Sequence, residues 1–561
     1  MTGYTQPFSL PHGQPQSEEV LSELPSVDVE RIDVLGATET MLLDIDGDGE
    51  NETRLVDVIG ALKASFEGRS VSSAELQELR LALSNLYLEN GFVNSGVILP
   101  DQSVVDGEIY YQVIEGELTR IEIEGDPVIS NAYVQKRLER LIQDPVNIDD
   151  IQYALQYLQN DPNIERLDAR LAPGDSLGKS ILRLTIEEPT RFEFGAGVNN
   201  HRATSTGEDG GNVSIRSRNL TGLGEVMSVS SGVSQGSSNM AVGFTMPVSS
   251  RNTSLQLYAS DSDSSLIEAR LKSLDIESLT QTRGLRLSHP FVDKLDQTLS
   301  LSLGYEIRHS ESTLGGLPFS LAAGAQDGVS ETNVAMFAGD WTQRGEDYVW
   351  TARLNLRHGD DYQDATIFAP QTDFELTLNQ DVADGRFDLI QTQVMYLRRV
   401  GSDGQWQFAF RASGQFSADA LMSIEKIAIG GVNTVRGYPE NFLVRDNGLA
   451  LSFELRMPLL GASEDPSFRN LSIVPFLDYG RSWDEVNTNN ISSPRDTSVA
   501  NSIGSAGVGL VWSPIQGLSA NLFWGADVHD DLNSGEDPRD FRDSNLQDNG
   551  IHFTLSYSLN W

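Results

Sequence analysis

In "GGVNTVRGYPE", residues 430–440, a lone arginine, Arg436, stands between glycine-rich turns, preceded by Val435 and followed at once by Gly437 and Tyr438. A guanidinium carries its donors in a planar fork that grips a carboxylate through two parallel hydrogen bonds, and burying it unpaired is costly. Ile429, Val432 and Val435 beside it are apolar, which suits a segment folded into a protein-lined interior better than a solvated loop. A rigid partner is offered by "PFLDYG", residues 475–480. Under a two-residue period Phe476, Asp478 and Gly480 share one face, which sets a carboxylate between an aromatic and a gap that admits another chain segment. The expectation is an Arg436–Asp478 ion pair that pins a loop from inside; the alternative is a solvated loop arginine.

Other chemistry-bearing patterns are weaker. Asp44, Asp46, Asp48 and Gly49 have the opening spacing of a calcium loop, but position twelve is Leu55 where a bidentate glutamate is needed. The segment therefore reads as a solvated acidic insertion, about residues 43–53, with weak calcium binding as the lesser option and no metal otherwise expected. "GVSQG", 232–236, matches GxSxG around Ser234, yet a nucleophile elbow needs a helix after it and here a second strand follows. The seven histidines form no HExxH, there is no GxxxxGK[ST], and cysteine is absent. These facts leave no catalytic residue to name, no cofactor and no thiol chemistry. A formal charge of −41 argues against nucleic acid as a partner.

The elements that must position Arg436 and Asp478 come next. No run of about 18 apolar residues occurs, which excludes a membrane-spanning helix but not a membrane barrel. From about residue 190 onward, residues alternate in character. In "IHFTLSYSLNW", Ile551, Phe553, Leu555, Tyr557, Leu559 and Trp561 fall on one face and polar residues on the other. Eleven residues tilted about 45° span about 25 Å, the height of a bilayer's apolar band. Phe553, Tyr557 and Trp561 are the candidate C-terminal barrel signal. About 16 strands can be counted from Arg191. The links after even-numbered strands are mostly short, such as "SSR", "TQRGE" and "SPIQG", and those after odd-numbered strands are mostly long and polar. A soluble β-sandwich, the alternative, has no reason to sort loops by parity; a barrel with short periplasmic turns and long external loops does. By that parity the arginine lies in loop 6, residues 417–446, predicted to fold into the lumen of a barrel spanning 190–561.

Ahead of the barrel, residues 26–188 alternate strand and helix patterns. "SSAELQELRLALSNLYLENG" has Ser72 three before Glu75, a capping-box spacing, with Leu76, Leu79, Leu83 and Leu86 on one face. "FVNSGVILP" and "EIYYQVIEG" read as a strand pair, and the same order repeats from "LTRIEIEG" onward. Two tandem β-α-α-β-β domains are expected, at 26–116 and 117–189, after an N-terminal extension over 1–25. The opening residues carry no secretory-leader pattern, and the chain is read as supplied without one.

"VRGY" in the sixth external loop, "FxDxG" on strand thirteen, the tandem small domains and an aromatic last residue together resemble the two-partner secretion translocators, the ShlB/FhaC/HecB family. Residues 91–125, with Leu99, Pro100 and Gln102 as an "LPxQ" turn, are similar to that family's first polypeptide-transport-associated (POTRA) domain running into the second. The resemblance implies POTRA domains in the periplasm that capture one large, repeat-rich exoprotein of haemolysin, haemagglutinin or adhesin type. It also implies a 16-stranded barrel in outer-membrane lipid through which that client threads without nucleotide hydrolysis, with which the missing GxxxxGK[ST] agrees, and a lumen contact between Arg436 and Asp478. The family's plugging N-terminal helix is at best a short remnant in "QSEEVLSELPSV". The alternatives are a POTRA-bearing barrel-assembly insertase and a passive porin or receptor.

Overall fold

A computed structural model describes residues 26–44, 52–320, 324–367, 383–401, 404–459, 470–485, 500–532, 537, 539 and 544–561. Two compact units emerge, one ending at Glu187 and one running from Glu188 to Trp561 together with Val128–Tyr133.

The N-terminal unit contains the same topology twice. Its first sheet is built from Arg31–Leu35, Gly96–Ile98 and Glu108–Ile114, covered by helices α1 (Leu55–Ala64) and α2 (Ser73–Glu89). The last strand lies central, parallel to the first and antiparallel to the second. The second sheet, Glu117–Glu124, Arg166–Pro173 and Lys179–Glu187, repeats that order with α3 (Asn131–Leu138) and α4 (Ile148–Gln159). In α2 the Ser72 side chain accepts from the Glu75 N–H at 3.3 Å while the Glu75 carboxylate accepts from the Ser72 N–H at 2.7 Å, so two otherwise orphaned donors are satisfied. The buried stripe of α2 is Leu76, Leu79, Leu83 and Tyr87; Leu86, expected on that face, packs only at its margin because Tyr87 continues the i, i+4 row from Leu83. The hairpin Leu42–Asp44 with Glu52–Arg54 brackets the acidic insertion.

The second unit is a closed antiparallel barrel of sixteen long strands: β1 (Phe192–Asn199), β2 (Gly210–Arg218), β3 (Val226–Ser234), β4 (Ser237–Pro247), β5 (Ser254–Ser265), β6 (Ile276–Asp293), β7 (Gln297–Leu314), β8 (Val329–Arg344), β9 (Tyr348–Gly359), β10 (Phe387–Val400), β11 (Trp406–Ser417), β12 (Asn447–Pro458), β13 (Leu471–Trp483), β14 (Ala500–Trp512), β15 (Leu518–Asp530) and β16 (Ile551–Asn560). A two-residue strand, Leu317–Pro318, folds back onto β7. Closure is by β1 against β16, with Phe194 opposite Leu559 and Val198 opposite Leu555.

Alternation along each strand turns one side outward and the other inward. Across neighbouring strands Leu255, Leu287, Leu303, Phe337, Leu356, Ile390 and Phe416 stand directly opposite one another, an unbroken apolar band over β5 to β11. Leu303 keeps 63% of its surface exposed. A band of that extent facing water would be a large unpaired apolar patch; facing hydrocarbon it is the surface that a lipid-embedded barrel needs. No described helix is long and apolar enough to cross a membrane.

Candidate functional site: the clasp of loop 6

Loop 6, residues 418–446, links β11 to β12 and turns back against the inward faces of β12 to β15. Its tip carries Arg436, which is 2% exposed and meets Asp478 on β13, which is 1% exposed. Arg436 Nε donates to Asp478 Oδ2 at 2.8 Å and Nη2 donates to Oδ1 at 2.8 Å, the two parallel bonds of a planar fork. The Arg436 backbone N–H adds a third bond to Oδ2 at 3.0 Å. Nη1 reaches Glu454 Oε1 at 2.6 Å and Nη2 also reaches Ser452 Oγ at 3.0 Å, both on β12. Phe476 stacks beneath the guanidinium, 3.7 Å from its ring centre to the arginine Cζ, and Phe523 on β15 lies at 5.0 Å. Two carboxylates, a hydroxyl and an aromatic thus replace the water that burial removes. Losing one partner of such a set leaves a stranded charge at a cost of about 3–5 kcal/mol.

The residues around the arginine are fixed by steric need. Gly437 has φ +107°, and a Cβ there would come 2.9 Å from Ser505 Cβ on β14 and 3.3 Å from the backbone of Gly525 on β15. Gly480 faces the loop from β13, where a Cβ would lie 2.5 Å from Ile429 and 2.8 Å from Val435. Tyr438 is fully buried; its hydroxyl donates to the His529 carbonyl at 3.0 Å and its ring lies 5.0 Å from that of Phe442. Arg539, from the link between β15 and β16, caps the pair at 5.1 Å from Tyr438 and 5.3 Å from Phe442. Ile429, Val435, Tyr438, Phe442, Leu443 and Ile503 form one apolar cluster. Burial pushes the Glu440 carboxyl up to about 7, opposed by the hydrogen bond it accepts from the Val432 N–H at 2.8 Å.

The structure therefore brings Val435, Arg436, Gly437 and Tyr438 together with Phe476, Asp478 and Gly480. Glu454, Ser452, Phe523 and Arg539 were not anticipated. Glu454 lies on a strand whose inward face could have been read by alternation, but nothing in "LALSFELRM" distinguishes a clasp residue from any other lumen carboxylate. At the barrel seam Tyr557 and Trp561 are exposed, Phe553 is half-buried, and the Trp561 ring sits 6.4 Å from Phe192. Ser234 ends β3, donates to the Thr206 carbonyl at 2.9 Å and is followed by β4, so GxSxG here is a strand turn. Asp46 and Asp48 lie outside the described residues, Asp44 ends its strand, and Leu55 is buried in the domain core.

Comparison with known proteins shows the family and the fold. The model of the family described as haemolysin secretion/activation protein ShlB/FhaC/HecB matches residues 178–510, and that of the ShlB-type POTRA domain matches 48–116. The outer membrane transporter CdiB of Dickeya dadantii (strain 3937) is 23% identical over 72% of this chain and 70% of its own length. The heme/hemopexin transporter protein HuxB of Haemophilus influenzae (strain 86-028NP) is 20% identical over 85% of this chain and 81% of its own. Among solved structures, CdiB from Escherichia coli superposes with a TM-score of 0.63 at 19% identity, covering 97% of this chain and 93% of that one.

Proposed function

Because the chain belongs to the haemolysin secretion/activation family of ShlB, FhaC and HecB, and is thus an outer-membrane transporter with its N-terminal domains in the periplasm, we propose how it handles its cargo. The two β-α-α-β-β domains capture one partner exoprotein in the periplasm, in part by adding an extended segment of it to a sheet edge. That client, of the haemolysin, haemagglutinin or adhesin type, then threads through the barrel lumen and folds outside, with no nucleotide hydrolysed. Loop 6 occupies part of that route and is held there by Arg436, Asp478 and Glu454. The observation that carries the reading is this buried, fully paired guanidinium inside a lipid-facing barrel; a passive porin needs no such restraint on a lumen loop. An insertase would share the barrel, and is the weaker reading because the matched family and the named relatives are transporters.

Deleting residues 26–187 should abolish export of the client while leaving a barrel that conducts ions in planar bilayers. Continued export from that truncated barrel would refute capture by the N-terminal domains.

A further inference from the structure

Loop 6 is gripped a second time, with the charges reversed. A single 3-10 turn, Ser423–Glu425, sets Glu425 against β7, β8 and β9, where it is 3% exposed. Arg357 Nη2 on β9 donates to its two oxygens at 3.1 and 3.3 Å, and Arg308 Nη1 on β7 donates to Oε2 at 3.3 Å and to the Ile424 carbonyl at 3.0 Å. Thr332 on β8 donates to Oε1 at 2.9 Å. Glu306 completes a charge-balanced group, lying 2.9 Å from Arg357 and 2.8 Å from Arg308, and accepts from the Tyr258 hydroxyl at 2.6 Å.

The rest of the loop's base has anchors of its own, although Ile429 and Leu443 also pack with Val435 and Tyr438 of the tip. Leu421 packs with Val334, Met336, Phe387 and Leu389. Ile427–Ile429 pairs with Leu443–Arg445, and Lys426 bridges Asp446 at 2.9 Å and Asp484 at 3.0 Å. The Gln415 amide donates to the Glu425 and Asp446 carbonyls. In the clasp the loop supplies the cation and the wall the carboxylates; here the loop supplies the carboxylate and the wall the cations. Neither seat accepts the other's residue, so the loop can be seated one way only.

We propose that Glu425, held by Arg357 and Arg308, is a second positioning residue of loop 6, keeping the base seated when the Arg436 clasp opens, so that the moving part is the tip, residues 430–441. The inference rests on the reading that loop 6 restrains the transport route. Because the chain has no cysteine, the full-length protein in lipid vesicles can carry single reporters at two fully buried positions, Leu421→Cys in the base and Val435→Cys in the tip, labelled with a membrane-impermeant maleimide. With Glu425→Gln, labelling at 421 should accelerate about tenfold, the equivalent of a 1.4 kcal/mol loss of protection, while 435 stays protected. With Arg436→Ala the pattern should invert. Thr332→Val, a milder change, should raise labelling at 421 by a smaller factor should Glu425→Gln fail to give the heat-modifiable gel band of a folded barrel. Protection at 421 that survives Glu425→Gln or, failing that, Thr332→Val would overturn the proposal. So would release of both reporters by either Glu425→Gln or Arg436→Ala, which would mean one latch and not two. Labelling needs no client, so it stands apart from the export assay on which the transport reading depends.

Discussion

Arg436 combines charge, a planar fork and a stacking face, and substitutions separate the three. Lysine keeps the charge but can neither bond Asp478 through two parallel donors nor stack on Phe476, so Arg436→Lys should depress secretion nearly as far as Arg436→Ala, with the barrel still folded on unheated gels. Asp478→Asn should fall between wild type and Asp478→Ala. Glu440, in the same tip, makes the clasp sensitive to pH. Its folded value of about 7 exceeds the ordinary 4.5, so the folded loop holds a proton that the released loop gives up. The seated tip is therefore most stable below the ordinary carboxylate range and loses stability as pH rises to about 7. Impermeant-reagent labelling at position 435 should rise over that interval in wild type and stay flat in Glu440→Gln. The Arg436–Asp478 contact was legible because a lone arginine among apolar neighbours requires a carboxylate and strand alternation points to one. Glu425 was not legible: its partners, Arg308 and Arg357, come from strands more than 60 residues earlier in the chain, with Arg357 and Glu425 separated by 68 positions.

At the scale of elements, local chemistry decided most boundaries. The capping box at Ser72 and Glu75 was readable from spacing alone, because both donors it satisfies lie within one helical turn. Ser72→Ala should weaken the start of α2 by about 1 kcal/mol, seen as roughly fivefold faster hydrogen exchange in its first turn. The parity of the barrel links was also readable, with two exceptions. The β3–β4 link is only 235–236 although it follows an odd-numbered strand, and the β12–β13 link runs over 459–470 although it follows an even one. Strand ends were harder to place. β6 and β7 reach Ile276 and Leu314, where the sequence is as polar as the links around it, because polar residues such as those of "SESTL" pair across a ladder as readily as apolar ones once the strand has left the lipid. Composition reports what a residue faces, and backbone pairing does not depend on it.

The whole molecule is organised by two surfaces, an apolar band outside and a polar, partly filled lumen inside. Leu303, the most exposed member of the band's central rungs, tests the outside: Leu303→Arg should cost about 2–4 kcal/mol if it sits near the bilayer midplane, measured by reversible folding into lipid vesicles. The sixteen-strand count and the tandem small domains followed from periodicity because both are repeated units, in which one misread element is corrected by its neighbours. The anchor at Glu425 arises only when the wall is assembled, since it depends on strands distant in sequence becoming neighbours of loop 6; the clasp's second carboxylate, Glu454, lies 18 positions from Arg436 on the next strand and was missed because nothing in its local sequence marks it. Loop 6 is attached at both ends to adjacent strands, β11 and β12. That tether keeps the guanidinium within reach of its carboxylates at an effective concentration of millimolar order, whatever the surrounding solution contains. A free peptide copying residues 430–440 would therefore compete for the seat only at still higher concentration, and after each displacement the loop can rebind unaided, resetting the channel by proximity alone.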